Sequence, residues 1–170
     1  MTYIGACFVI LASTFIGFEK SNLYIKRTKN IKQMIDCLHI MEAEIVYNKQ
    51  NLQDTFQIIS RKTIFPMNVF FLHLAKGLEA TVTDIHGLWQ AESQHLQKLS
   101  TFQKEEIDIW NQFGFTIGDY TSESQQQQIN LAKKYLQQVL VDATEERQTY
   151  SKLYKTAGFL FGLFIIILLL

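Results

Sequence analysis

Every charged side chain in this 170-residue chain lies between Glu19 and Lys155. The two ends are bare: "MTYIGACFVILASTFIGF" from Met1 to Phe18, and "TAGFLFGLFIIILLL" from Thr156 to Leu170. As a helix, the first run would span ~27 Å, close to the ~30 Å hydrocarbon core of a bilayer. A cleaved signal peptide wants basic residues ahead of the apolar run. Here Lys20, Lys26, Arg27, Lys29 and Lys32 follow it, with no acid between them, and "LAST" (11–14) is a poor cleavage site. The run therefore reads as an uncleaved anchor rather than a signal peptide or a core helix.

The tail is shorter, at ~22 Å of helix, which by itself suits a core or interfacial helix. It is apolar all round and offers no face to water. Lys152 and Lys155 can snorkel, which brings Leu153 and Tyr154 into the span and extends it to about 27 Å, with Tyr150 and Tyr154 at the interface. A second span is expected. Basic residues follow the first span and precede the second (Arg147, Lys152, Lys155), so the positive-inside rule places 19–155 in the cytoplasm and both termini outside. The expected domains are a membrane helix 1–18, a cytoplasmic bundle 19–155 and a membrane helix 156–170. Gly158 and Gly162 form a G-x-x-x-G, and Gly5, Ala6, Ala12, Ser13 and Gly17 supply small residues to the first span. Two readings stay open: a face on which spans pack or oligomerise, or the ordinary frequency of glycine in membrane helices.

Composition narrows the middle. The 16 basic and 16 acidic residues cancel, which argues against a nucleic-acid binder. The two cysteines, Cys7 and Cys37, make neither a disulfide framework nor a zinc cluster. One proline favours long helices. Apolar residues recur at helical spacing, and no period-two run bounded by turns suggests a strand. Helices are expected over about 20–49 (Ile31, Met34, Ile35, Leu38, Met41, Ile45), 52–62 (Leu52, Phe56, Ile59), after Pro66 through "MNVFFLHLAKGLE", from a Thr83 or Asp84 cap (Ile85, Leu88, Trp89, Leu96, Leu99), and over about 102–117, ending near Gly118. Ser122 and Gln125 offer a capping box to the last helix, whose stripe is Ile129, Ala132, Leu136, Val139, Leu140 and Ala143 and which can run into the tail. The fold class is all-α: an antiparallel bundle of about six helices, its first and last continuing into transmembrane segments.

Reactive motifs are few. No phosphate loop, G-x-S-x-G or H-E-x-x-H occurs, and no cofactor is expected. Glu92-x-x-His95 is half of a di-iron bundle signature, and Glu42 also falls on its helix's apolar stripe. A di-metal carboxylate enzyme using Glu42, Glu92 and His95 is thus the enzymatic alternative. Against it, the second Glu-x-x-His is missing, and His39 precedes Glu42 in the reverse order. The bland reading gives Glu42 and Glu92 structural hydrogen bonds, to His39, His95 or helix ends, and leaves His73 and His86 as lone boundary residues. Trp89 and Trp110 read as core. Cys37 reads as a packed, unreactive thiol. Residues 104–123 hold one lysine and the acids Glu105, Glu106, Asp108, Asp119 and Glu123, a candidate docking surface or simply a solvated face.

An ordered set of residues carries a resemblance. It comprises "GFE" (Gly17–Glu19), the basic stretch after it, "MEAEIVY" (Met41–Tyr47), "QFG" (Gln112, Phe113, Gly114) with Gly118, and the closing "GFLFGLFIIILLL". Together they resemble the stage III sporulation protein AB family along essentially the whole chain. The resemblance implies a subunit of a channel complex between mother cell and forespore in endospore-forming bacteria. It also implies similarity to the cytoplasmic helical domain of type II secretion F platform proteins, which have two such domains where this chain has one. On that basis Glu42, Glu44, Tyr47 and Gln112–Gly114 carry over as structural or interfacial residues. The implied function is a non-catalytic, membrane-anchored scaffold in the mother-cell membrane facing the forespore. The implied partners are a cytoplasmic ATPase, other membrane subunits of the channel and further copies of the chain. A membrane-tethered adaptor outside sporulation is the remaining alternative.

Overall fold

The computed structural model describes residues 2–80, 84–118 and 122–169; side-chain surroundings are described from residue 12 onward, apart from 122–123, 159, 162, 166 and 168–169 within the last helix. Thr83, Asp119 and Cys7, and the side chains of Gly5, Ala6, Ser122, Glu123 and Gly162, lie outside them. Six α-helices and no strand occur among the described residues: α1 (Thr2–Glu42), α2 (Leu52–Lys62), α3 (Met67–Glu79), α4 (Ile85–Leu99), α5 (Lys104–Gly114) and α6 (Ser122–Leu169). A π-turn, Ala43–Tyr47, follows α1. The helical-bundle expectation holds. No described helix is long and apolar enough to cross a membrane.

Packing divides the chain into two units, Met1–Thr28 with Val141–Leu170, and Lys29–Leu140. This is a division by contact, whereas the boundaries at 18 and 155 divide the chain by polarity.

In the Lys29–Leu140 unit the short helices pack in succession, α2 on α3, α3 on α4 and α4 on α5. Short connections between them make each pair antiparallel. Their ends are set locally. Asn51 caps α2 by accepting from Asp54 N at 2.8 Å, and Asp84 caps α4 by accepting from Gly87 N at 2.9 Å. α5 begins later than expected because Gln103 and Glu106 form a reciprocal capping box that fixes Lys104 as the first helical residue. It ends at Gly114, and the chain leaves through a turn containing Gly118 at φ +96°, a conformation suited to glycine.

The core is aromatic at its centre. Trp89 stacks on Phe70 edge-on at 5.0 Å and lies 5.2 Å from Trp110, with Phe56, Phe71 and Phe113 around them. Trp89 Nε1 donates to the Trp110 carbonyl at 3.0 Å. Ile31, Met34, Ile35, Leu38 and Met41 of α1 and Ile129, Ala132, Leu136 and Val139 of α6 are buried at the expected spacing. Six stripe residues depart from expectation. Leu99 is exposed at the last turn of α4, and Ile45, Leu52, Ile85, Leu88 and Leu140 are half-buried at the margins of their stripes.

Gly114 makes this core possible. A Cβ built there would overlap Cδ1, Nε1 and Cγ of the Trp89 ring, which its neighbours prevent from moving. Gly114→Ala is expected to cost about 1–3 kcal/mol through overpacking, read as a lowered urea midpoint with altered tryptophan near-ultraviolet dichroism. Gly118→Ala should leave the dichroism unchanged.

Candidate functional site

The residues of "MEAEIVY" occupy the end of α1 and the π-turn, and most of them tie elements together. Met41 is fully buried. Glu42 accepts from Lys133 Nζ of α6 at 2.6 Å, with both side chains largely shielded. Its partner is therefore this lysine, and not His39 or a helix end. Asn48 N bonds Ala43 O at 3.0 Å, the five-residue spacing that makes the turn π-helical. Glu44 is buried, accepts from Asn48 Nδ2 at 2.8 Å, and pairs with Lys62 of α2 at 3.4 Å. Its carbonyl takes Gln50 N at 2.9 Å. The Asn48 amide, more than the Lys62 ammonium, holds the Glu44 carboxyl below the usual carboxylate range against the opposing effect of burial. Tyr47 points out, with 68% of its surface exposed.

"QFG" divides in the same way. Phe113 is buried against Trp89 and Trp110, Gly114 clears room for Trp89, and Gln112 is exposed. The two motifs meet: Met41 and Ile45 line a gap with Phe113, Ile117 and Ile129. At about 10 Å³ the gap scarcely admits one water, so the meeting point is a packing junction.

Of the acids read as a docking surface, Glu106 must be corrected. It is 0% exposed, because its carboxylate accepts from Gln103 N at 2.7 Å in the capping box. Glu105 and Asp108 are exposed, and they border a shallow open concavity between α5 and α6 floored by Ile109, Gln112 and Tyr135. Leu131 extends its apolar part. Sequence reasoning missed this groove, since Tyr135 and Leu131 sit beside the α6 core stripe and only the placement of α5 brings Ile109 to them.

The histidines also differ from expectation. His73 Nδ1 lies 2.8 Å from Glu92 Oε2, and the His73 and His95 rings approach edge-on at 6.1 Å. His86 Nδ1 lies 3.1 Å from the Gly114 carbonyl. Neither His73 nor His86 stands alone. Glu42 and Glu92 have separate partners, and among the described residues no three His, Cys, Asp or Glu are grouped to hold a metal. Cys37 is fully buried, and burial pushes its thiol far up, so it stays protonated.

The unit formed by residues 1–28 and 141–170 is built differently. α1 and α6 run antiparallel on a seam of small residues. A Cβ on Gly17 would come within 2.5 Å of the Tyr154 carbonyl oxygen, and one on Gly158 within 2.8 Å of Ser13 O and 3.2 Å of Gly17 Cα. Ser21 and Ser151 share a hydrogen bond at 2.6 Å, and Arg27 Nη1 donates to Glu146 at 2.6 Å. Tyr24 stacks on Tyr150 and Tyr154 at 5.6 and 6.0 Å, and Lys155 lies over the Phe18 ring. Gly158 therefore serves the pairing of the two helices; Gly162 is outside the described side chains.

These features define an all-helical bundle protein whose marked motif residues mostly pack, cap and pair. The chain belongs to the stage III sporulation protein AB family, whose model matches residues 2–170, and it thereby has a role in sporulation. It is 30% identical over 167 residues to "Stage III sporulation protein AB" of Bacillus subtilis (strain 168), covering 98% of each chain. It is also similar to a solved structure titled "Stage III sporulation protein AB (SpoIIIAB)", with a TM-score of 0.68 at 26% identity over 73% of this chain and 98% of the other.

Three outcomes are expected. Glu42→Gln leaves Lys133 shielded without its counter-ion and should cost about 3 kcal/mol, whereas Glu42→Leu with Lys133→Met should recover most of that loss in a double-mutant cycle. Glu44 has a lowered folded-state pKa, so its contribution is present above the unfolded carboxylate pKa and is lost as pH falls through the folded one. The stability difference between wild type and Glu44→Gln should therefore shrink as pH falls from 6 to 3 in urea titrations. Cysteines placed at Ser21 and Ser151 should oxidise to a disulfide, and Gly158→Leu should abolish it.

Proposed function

We propose that this chain is a non-catalytic, membrane-anchored platform subunit of a secretion-like channel complex between mother cell and forespore. The observation that carries the reading is the sorting of side chains in the α1/α6 pair. Gly17, Ser21 and Gly158 face the seam, while Phe15, Ile16, Leu160, Phe161, Phe164 and Ile167 are exposed. In water this arrangement leaves a large apolar patch uncovered. In lipid it is the ordinary one, because helices there associate through close packing of small residues and not through burial of large ones. Spans at 1–18 and 156–170 suit it, with 19–155 in the cytoplasm, both termini outside and the mother-cell membrane facing the forespore as the site. Family membership supports the setting in sporulation.

The helical unit would then act by binding. The α5–α6 groove, with Ile109, Leu131 and Tyr135 beside Glu105 and Asp108, has the apolar floor and charged rim of a protein-docking surface. We assign it to the cytoplasmic ATPase of the complex. Gln112 belongs to the same groove, and exposed Tyr47 is assigned to other channel subunits or to further copies of this chain.

The test is capture of the ATPase by the detergent-solubilised full chain from sporulating cells. Tyr135→Ala with Asp108→Lys should weaken capture about tenfold or more, the effect of losing an aromatic anchor, and should block sporulation. Wild-type capture and sporulation in that strain would sink the docking assignment. Extraction of the chain from membranes by alkaline carbonate would sink the anchored reading.

A further inference from the structure

Two hollows between α5 and α6 share Ile109, Gln112 and Tyr135, so they form one continuous groove. Its α5 wall runs from Gln103 to Phe113, about 15 Å, the length of a three-turn helix. The lining is sorted along that length. Leu131 belongs to one hollow only, and Glu105 and Asp108 to the other only. Leu131 and Tyr135 are exposed although both are large and apolar. An apolar half is thus followed by an acidic half.

The charge of the acidic half is free to act. Among the described residues neither Glu105 nor Asp108 has an ion-pair partner. Lys104 also lines this half, so two acids and one lysine leave it with one negative charge. Lys133 is engaged by Glu42, and Lys134 does not line the groove. The polar side chains that α5 contributes are all exposed, so none is buried to orient a small molecule. Both walls are helices whose backbone groups are bonded within them, and they offer an incoming chain no hydrogen-bonding edge. A segment lying on the apolar floor must therefore satisfy its own backbone, as a helix does and an extended strand does not.

We infer that the groove takes an amphipathic helix of about three turns, with large apolar residues at i and i+3 or i+4 and Lys or Arg a turn or two further along the same face. The helix site rests on the docking assignment above and adds the shape and charge of what binds.

The test puts the photo-crosslinker p-benzoylphenylalanine in place of Tyr135 in the full chain, in sporulating cells, and sequences the captured peptide by mass spectrometry. The expected peptide carries apolar and basic residues in that helical order. The crosslinker in place of Asn130, exposed on α6 but outside the groove, should not capture it. Glu105→Lys/Asp108→Lys should cut the yield about tenfold. Exchanging the captured segment's Lys or Arg for Glu should restore it, a rescue that damage to α5 would not allow. An acidic peptide, or one without helical periodicity, overturns the helix; if it comes from the ATPase, the docking assignment stands. A peptide of the expected pattern from another protein, including a second copy of this chain, overturns the ATPase assignment and leaves the helix standing. No adduct at Tyr135 overturns both.

Discussion

Trp89 can lie against α5 only because residue 114 has no side chain. That absence sets the distance between α4 and α5, lets the indole donate to the Trp110 carbonyl, and closes the ring of Phe56, Phe70, Phe71 and Phe113 around both tryptophans. The consequences extend beyond the core. α5, so placed, presents Ile109 and Gln112 to α6 and opens the groove on which the docking proposal rests. The Gly114 carbonyl then meets His86, bringing the start of α4 to the end of α5.

The polar motif residues work on the same unit from the other side. Glu42 and Glu44 are two residues apart and so point in different directions, one to Lys133 on α6 and the other to Asn48 and Lys62. A single short segment can thus fix the end of α1 against two elements. Shielded ion pairs are poor sources of net stability but are strongly specific, because a misplaced partner leaves a charge without compensation. The two carboxylates read on apolar stripes are accounted for by separate partners, Lys133 for Glu42 and His73 for Glu92.

The two units invert each other's logic. Lys29–Leu140 buries Trp, Phe and Ile and exposes charge. The α1/α6 pair of the other unit buries glycine and serine and exposes phenylalanine, leucine and isoleucine. A sequence-wide average hides the inversion, since mean hydropathy is near zero at +0.02.

Much of this was legible in the chain. Helical spacing in "NLQDTFQIISRK", a proline before "MNVFFLHLAKGLE" and an aspartate before "IHGLWQ" mark α2, α3 and α4 to within a residue or two, because capping and periodicity are local properties. The bare ends and the charges beside them were equally plain. What local properties do not hold is the identity of a partner distant in sequence. Lys133 for Glu42, 91 residues away, His73 for Glu92, and Trp89 for Gly114 are choices made when helices dock. The same holds for Glu106, whose charge reads as surface but whose carboxylate is turned inward to cap its own helix. The sequence by itself determined the helices, their polarity and the segregation of charge from the two ends, since these depend on residues within a few turns of one another. Only the tertiary structure decided which carboxylates are buried and which glycines are contact points, since those depend on the register in which distant helices meet.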